Sequence, residues 1–296
     1  MADALTDLIA SERPDRLASG FAFTEGPLWH PEGHWLFVDI PRERVHRLRA
    51  DGTVETVREE SGGANGLTFD LERRLIMCEG GRIFADPPGD EYRRLTRMEP
   101  DGSIAVLAEG YEGARLNRPN DVVCHSDGSL YFTNPNLRLE PAERELDFAG
   151  VMRLSAAGEL SVSGTEMEYP NGLAFSVDER TLYVANTRPE PYLAAYDVAA
   201  DGSLTNRRIF AAMVGEGEGV PDGLKVDLED RIYCTGAGGC WVFTPDGAHL
   251  GTIALPEAPA NLSWGGADYR TLLFTARTSL YELQMEVAGV TPPGAR

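Results

Sequence analysis

The sequence predicts an all-β fold, a six-bladed β-propeller with a central metal site, and three observations carry the architecture. A short β-type run, a turn of three to five residues and a second β-type run recur six times along the chain. A polar residue leads every copy in the same phase: Glu25, Asn65, Asn120, Asn171, Asp222 and Asn261, roughly 40 to 55 residues apart. That period is the one expected of four-stranded blades. Finally, Asp-Gly pairs at Asp51-Gly52, Asp101-Gly102, Asp201-Gly202 and Asp246-Gly247 supply the left-handed conformations that tight hairpins need.

Taken in order, the paired runs are Pro27-Leu28-Trp29 with Leu36-Phe37-Val38, Leu67-Thr68-Phe69 with Leu75-Ile76-Met77, and Val122-Val123-Cys124 with Leu130-Tyr131-Phe132. Then come Leu173-Ala174-Phe175 with Leu182-Tyr183-Val184, Leu224-Lys225-Val226 with Ile232-Tyr233-Cys234, and Leu262-Ser263-Trp264 with Leu272-Leu273-Phe274. Runs this short, rich in aromatic and β-branched residues and bounded by Gly, Asp and Pro, read as antiparallel hairpins. The sixth unit stops soon after Ser279-Leu280-Tyr281-Glu282-Leu283, one strand short. The N-terminal run Asp15 to Phe21 is predicted to complete it, because closure by the chain ends removes exposed edges. One domain over 1–296 follows, with the propeller at about 15–285. Two insertions exceed hairpin loops, Asp86 to Arg93 and Pro135 to Phe148; the second reads equally as a lid or as a solvated charged loop.

The bulk composition excludes several function classes. Against 47 acidic residues stand 27 Lys and Arg, a net charge of −20, which repels phosphate backbones and anionic membranes. No nucleic-acid or membrane partner is expected; a small molecule is, for a monomer or small homo-oligomer. The start shows no basic leader with an apolar run, and no segment approaches the length of a spanning helix, so a cytoplasmic location is expected. Cys78, Cys124, Cys234 and Cys240 form no Cys-x-x-Cys pair and read as buried thiols, not a zinc site. None of the five histidines accompanies a nucleophile elbow; His30 and His34 are expected to be exposed at the first turn.

In a propeller the first strand of each blade lines the central channel, so six leading polar side chains surround one axis. Two carboxylates and several amide oxygens make an all-oxygen site, which selects a hard cation such as calcium or magnesium. Taken singly, Pro-Asn-Gly and Pro-Asp-Gly are turn sequences; repetition in phase, and a glutamate at the first position, are less readily explained by turns. Asp222, the acid within Val220-Pro221-Asp222-Gly223-Leu224, is the candidate general base.

Five signatures then carry a family resemblance: Thr24-Glu25-Gly26-Pro27-Leu28-Trp29, Asn65-Gly66-Leu67-Thr68-Phe69-Asp70, Asn117-Arg118-Pro119-Asn120-Asp121-Val122-Val123, Pro170-Asn171-Gly172-Leu173-Ala174-Phe175-Ser176, and Pro221-Asp222-Gly223-Leu224. From about Phe23 to Leu283 the chain resembles the senescence marker protein, gluconolactonase and luciferin-regenerating enzyme family. The resemblance implies one divalent metal bound by Glu25, Asn171 and Asp222, with Asn120 and Arg118 beside metal and substrate. Calcium is the first choice, with zinc, manganese, magnesium or iron as alternatives. The implied reaction is hydrolysis of a sugar lactone, with carbonyl polarisation by the metal and Asp222-assisted attack of water. The chain departs from the sugar-lactonase pattern at Cys78-Glu79-Gly80-Gly81, where relatives have Cys-Glu-His-Gly, and at Thr133-Asn134-Pro135, where they have Thr-Asp-Pro. The alternatives are a phosphotriesterase-like hydrolase, whose pocket would want aromatic walls such as Trp241, Tyr192 and Trp264, or a non-catalytic metal-binding propeller.

Overall fold

Each of the six repeats folds into a four-stranded antiparallel sheet whose strands follow one another in sequence. This computed structural model describes residues 4–85, 89 and 91–295. Blade 1 comprises Thr24–His30, His34–Asp39, Arg44–Leu48 and Val54–Arg58, and blade 2 Ala64–Phe69, Leu75–Gly80, Arg93–Met98 and Ile104–Ala108. Blade 3 is built from Val122–Cys124, Leu130–Asn134, Gly150–Leu154 and Leu160–Gly164, and blade 4 from Pro170–Phe175, Thr181–Asn186, Tyr192–Val198 and Leu204–Ala212. Blade 5 uses Leu224–Val226, Ile232–Gly236, Gly239–Phe243 and His249–Ile253. Blade 6 has three strands from the C-terminal part, Asn261–Gly265, Thr271–Ala276 and Ser279–Gln284, and a fourth, Asp15–Ser19, from the N-terminus.

That fourth strand fulfils the closure expected from the sequence: Asp15 stands opposite Glu282 and Ser19 opposite Ser279. The first strands of neighbouring blades touch one another around a complete ring, blade 6 meeting blade 1. Core residues lie between blades. Leu262, Leu272 and Phe274 of blade 6 pack with Tyr233 and Val242 of blade 5, while Val122 and Phe132 of blade 3 pack with Ile76 and Cys78 of blade 2. All four cysteines are free and buried, as the sequence suggested. The Asp-Gly pairs are turns: Asp51, Asp101 and Asp201 each accept the N–H two residues on, at 2.9 Å in every case.

The glycine after the leading residue has a different purpose from the one its sequence suggests. A Cβ on Gly26 would lie 2.1 Å from the carbonyl oxygen of Asn65, one on Gly172 2.1 Å from that of Asp222, and one on Gly223 2.1 Å from Asn261 Oδ1. Inner strands of adjoining blades approach too closely for a side chain. The contact is also a hydrogen bond, from Gly66 N–H to Asn120 at 2.7 Å and from Gly172 N–H to Asp222 at 3.1 Å. The repeated polar-Gly pair is therefore a close-approach motif between blades, in the sense that the backbone itself is the neighbour.

Of the insertion Asp86 to Arg93, residues 86–88 and 90 lie outside the described residues. The 135–148 loop is not simply solvated: Leu139 and Leu146 are buried, and Arg93 reaches Glu145 at 3.6 Å. A tail from Ala288 to Ala295 crosses under the propeller, with Val290 N–H bonded to Val226 at 3.1 Å and Gly289 seated against Trp264. With the inner strands it encloses an apolar cavity of about 90 Å³ lined by Leu28, Leu67, Val122 and Pro293. Among the described residues no helix is long and apolar enough to cross a membrane.

Candidate active site in the channel

Each leading residue occupies the start of an inner strand, or the one or two residues before it, so all six stand at one end of the channel. Glu25, Asn120, Asn171 and Asn261 are buried; Asn65 and Asp222 keep partial exposure. Glu25 Oε2 accepts its neighbour Gly26 N–H and Asn261 Nδ2, both at 2.8 Å. Asn171 is oriented by its own blade: Nδ2 donates to Thr187 Oγ1 at 3.0 Å, and that hydroxyl donates to the carbonyl of Pro221 at 2.7 Å. One threonine thus joins the amide of blade 4 to the residue before Asp222, and Asn171 also hydrogen-bonds the Asp222 carboxylate.

A third acid, Asp121, faces the same space, and the sequence reading missed its role. It occupies the position that is glycine after Glu25, Asn65, Asn171 and Asp222, and it is buried at 3% exposure. Its Oδ1 accepts Val122 N–H at 2.8 Å, while Oδ2 has no hydrogen-bond partner among the described residues. The signal was present: in this one copy a charged side chain replaces the close-approach glycine.

All three carboxyl groups have raised pKa values, burial being the first cause in each. Burial, and then Asp121, push Glu25 up to about 7 against the pull of Gly26 N–H, Asn261 and Lys225. Asp222 is held well above the usual carboxylate range by burial, Glu25 and Asp121, opposed by Asn171 and Arg188. Burial raises Asp121 as well, with Lys225 the main opposing charge. The channel therefore disfavours its own full ionisation. A carboxyl raised in the native state stabilises the fold most below its unfolded pKa, and that contribution is lost as pH rises through the native one. For Glu25 the window runs from about 4.5 to about 7. The metal-free protein is expected to lose thermal stability across that window, measured by melting in the presence of chelator; a flat or rising Tm there would contradict this electrostatic picture.

Arg118 is buried, not a surface arginine, and its Nη1 donates to the carbonyls of Gly80 at 2.6 Å and Gly89 at 3.4 Å. It holds the loop that follows the second strand of blade 2 against the channel mouth. Glu79, beside the departure from the lactonase pattern, is fully buried between Arg58 at 2.8 Å and Arg94 at 2.7 Å; its work is structural.

The family model for the SMP-30/Gluconolactonase/LRE-like region matches residues 23–278. The chain belongs to this family. Among relatives of the SMP-30/gluconolactonase family, a gluconolactonase from Zymomonas mobilis is 29% identical over 97% of this chain and 85% of its own length. A pentonolactonase from Haloferax volcanii is 29% identical over 85% and 80%. The solved structure of a gluconolactonase from Xanthomonas campestris superposes with a TM-score of 0.84 at 33% identity, covering 95% of this chain and 92% of that one.

Two expectations about aromatic and imidazole side chains need restating within the family fold. His34 is buried and His30 half-buried, not exposed, because they stand opposite each other in the blade 1 ladder and stack at 4.4 Å, with His30 also packed on Phe69. Burial drives the pKa of His34 down to about 4. With Glu32 they form a trio of donors whose ligand atoms lie within 4.8 Å of one another, at the opposite end of the strand from Glu25. The aromatic candidates for a pocket wall go mainly into packing: Trp264 and Tyr192 are in interblade cores, and Trp241 stacks on His249 at 4.3 Å.

Proposed function

We propose that this chain is a metal-dependent lactonase that opens a sugar lactone of the gluconolactone type. The reading is carried by the cluster of acids at one end of the channel, Glu25, Asp121 and Asp222, each with a raised pKa, in a chain similar over most of its length to two sugar lactonases. The donor set fits a hard divalent cation. It offers only oxygen ligands, it includes the unpartnered Asp121 Oδ2, and it carries negative charge that a cation would neutralise. Glu25, Asn171 and Asp222 would hold the ion, calcium in the first instance, with Asn120 alongside. When bound, such an ion supplies Lewis-acid polarisation of the lactone carbonyl.

The chain's own groups do the rest. Asp222 is partly exposed toward the channel and is positioned by Asn171, which is in turn held by Thr187. A carboxylate there takes the proton from an attacking water, and its basicity, raised by burial and by Glu25 and Asp121, favours that transfer. The proton then passes to the alkoxide released as the ring C–O bond breaks, leaving a hydroxy acid. Glu25 is shaped by two donors to remain fixed, not to move protons.

The test is proton release from five- and six-membered sugar lactones above spontaneous hydrolysis, using chelator-stripped protein with each divalent metal added back. Turnover restored by a metal is expected. A folded protein that binds the metal yet opens no lactone would overturn the reading.

A further inference from the structure

A trough of about 910 Å³ has Arg138, Phe148, Met167, Tyr169 and Arg188 in its wall, and of these Arg188 and Tyr169 lie close enough to Asp222 for their charges to act on one another. Its tie to the channel runs through the chain neighbours of Asn171 and Thr187. Tyr169 lies two residues before Asn171, and Arg188 directly follows the Thr187 that orients Asn171; Tyr169 N–H bonds to Asn186 at 2.9 Å. The Arg188 guanidinium sits 4.8 Å from the Tyr169 ring centroid. Arg138, carried in by the 135–148 loop, donates to the Ile83 carbonyl at 3.1 Å and lies over Phe84.

Two features of this wall call for a ligand. The Tyr169 hydroxyl is buried without a hydrogen-bond partner among the described residues, a cost that native proteins seldom carry without use. Arg138 and Arg188 are exposed and make no ion pair among the described residues, on a molecule whose net charge of −20 offers acids widely. The charges acting on the Tyr169 phenol are Arg188, Asp222, Arg138 and Arg118, three cations against one acid. Two exposed acids, Asp147 and Glu168, also border the trough without pairing to the arginines.

We propose that this trough is an anion subsite of the lactone-binding site: Arg188 and Arg138, with the Tyr169 hydroxyl, take a carboxylate or phosphate on the part of the substrate away from the ring carbonyl. The inference rests on the lactonase reading and sharpens it to lactones that bear a negative charge. Guanidinium groups suit both anions by their planar donor geometry.

The experiment compares kcat/KM, in metal-loaded enzyme at low ionic strength, for a neutral aldonolactone, the same ring ending in a carboxylate, and the same ring ending in a phosphate. A preference of about tenfold or more for a charged lactone is expected, residing in KM and shrinking as salt is added. Whichever anion wins identifies the source of the charge. In Arg188→Gln and Arg138→Gln, both exposed positions whose folding is checked by Tm, the charged-to-neutral ratio should fall toward one. Equal or better use of neutral lactones would overturn the inference and leave the lactonase reading standing. A charged preference that survives both substitutions would overturn the assignment to these arginines. Failure to open any lactone would remove the lactonase reading and this inference with it.

Discussion

Asp222→Asn is expected to lower metal-supported lactone hydrolysis by about a thousandfold, the range in which loss of a positioned general base falls, while the propeller stays folded. The amide keeps the shape of the carboxyl and can still meet Asn171, but it accepts no proton from water and offers the cation one negative charge fewer. Stability should move the other way. In the wild type Asp222 is an acid held well above its usual pKa by burial, Glu25 and Asp121. It therefore costs stability in metal-free protein once pH exceeds its unfolded pKa. Removing it should leave the Tm of the chelated variant at pH 8 equal to or above that of the wild type, with the gain on adding calcium much reduced. Full activity in the variant would remove Asp222 as base. A normal calcium-induced Tm shift would remove it as a ligand.

The second large effect is predicted at a residue with no chemistry. In Gly172→Ala the new Cβ would meet the Asp222 carbonyl oxygen at 2.1 Å, with Gly223 Cα and Leu224 N at 2.9 Å. All three are backbone, so nothing nearby can swing aside, and the inner strands of blades 4 and 5 must part. Overpacking of this kind costs about 3 kcal/mol or more, a fall in Tm on the order of 5–10 °C for a chain of this size. The displaced backbone carries Asn171 on one side and Asp222 on the other, so activity should drop even at temperatures where the variant is folded. Gly172 has no left-handed φ, so backbone strain adds nothing there; the same substitution at Gly164, also without a left-handed φ and with its Cβ no nearer than 3.3 Å to the Tyr196 ring, serves as the control. If both variants lose stability equally, the close approach between blades is not what position 172 demands.

Much of this architecture was legible because a propeller writes itself six times. The paired β-type runs, the polar leaders and the missing last strand each follow from repetition, and the structure has all of them. What repetition obscured was the meaning of its own constants. The glycine behind four of the six leaders reads locally as a turn residue, since its true partner lies far along the chain on the next blade. Asp121 was hidden for the same reason: only when Gly66 is seen packed on it does a charge in the glycine position stand out as a channel acid. His34 went astray because imidazoles near a turn look solvated until the ladder sets them face to face. The trough could not be read at all, because its wall comes from the 135–148 loop and from residues flanking Asn171, where no repeat marks them.

The N-terminal strand on blade 6 has a consequence for how the molecule comes into being. Asp15 through Ser19 are synthesised long before their partners, Ser279 to Glu282. Until they meet, the last sheet lacks its outer strand, and the edge left bare is open to pairing with another nascent chain. Closing the circle is then a single late event that joins segments separated by nearly the whole sequence, a slow kind of contact to form. Chains cut before Ser279 lack the strand on which Asp15–Ser19 pairs, and should associate edge to edge more readily than chains that carry it.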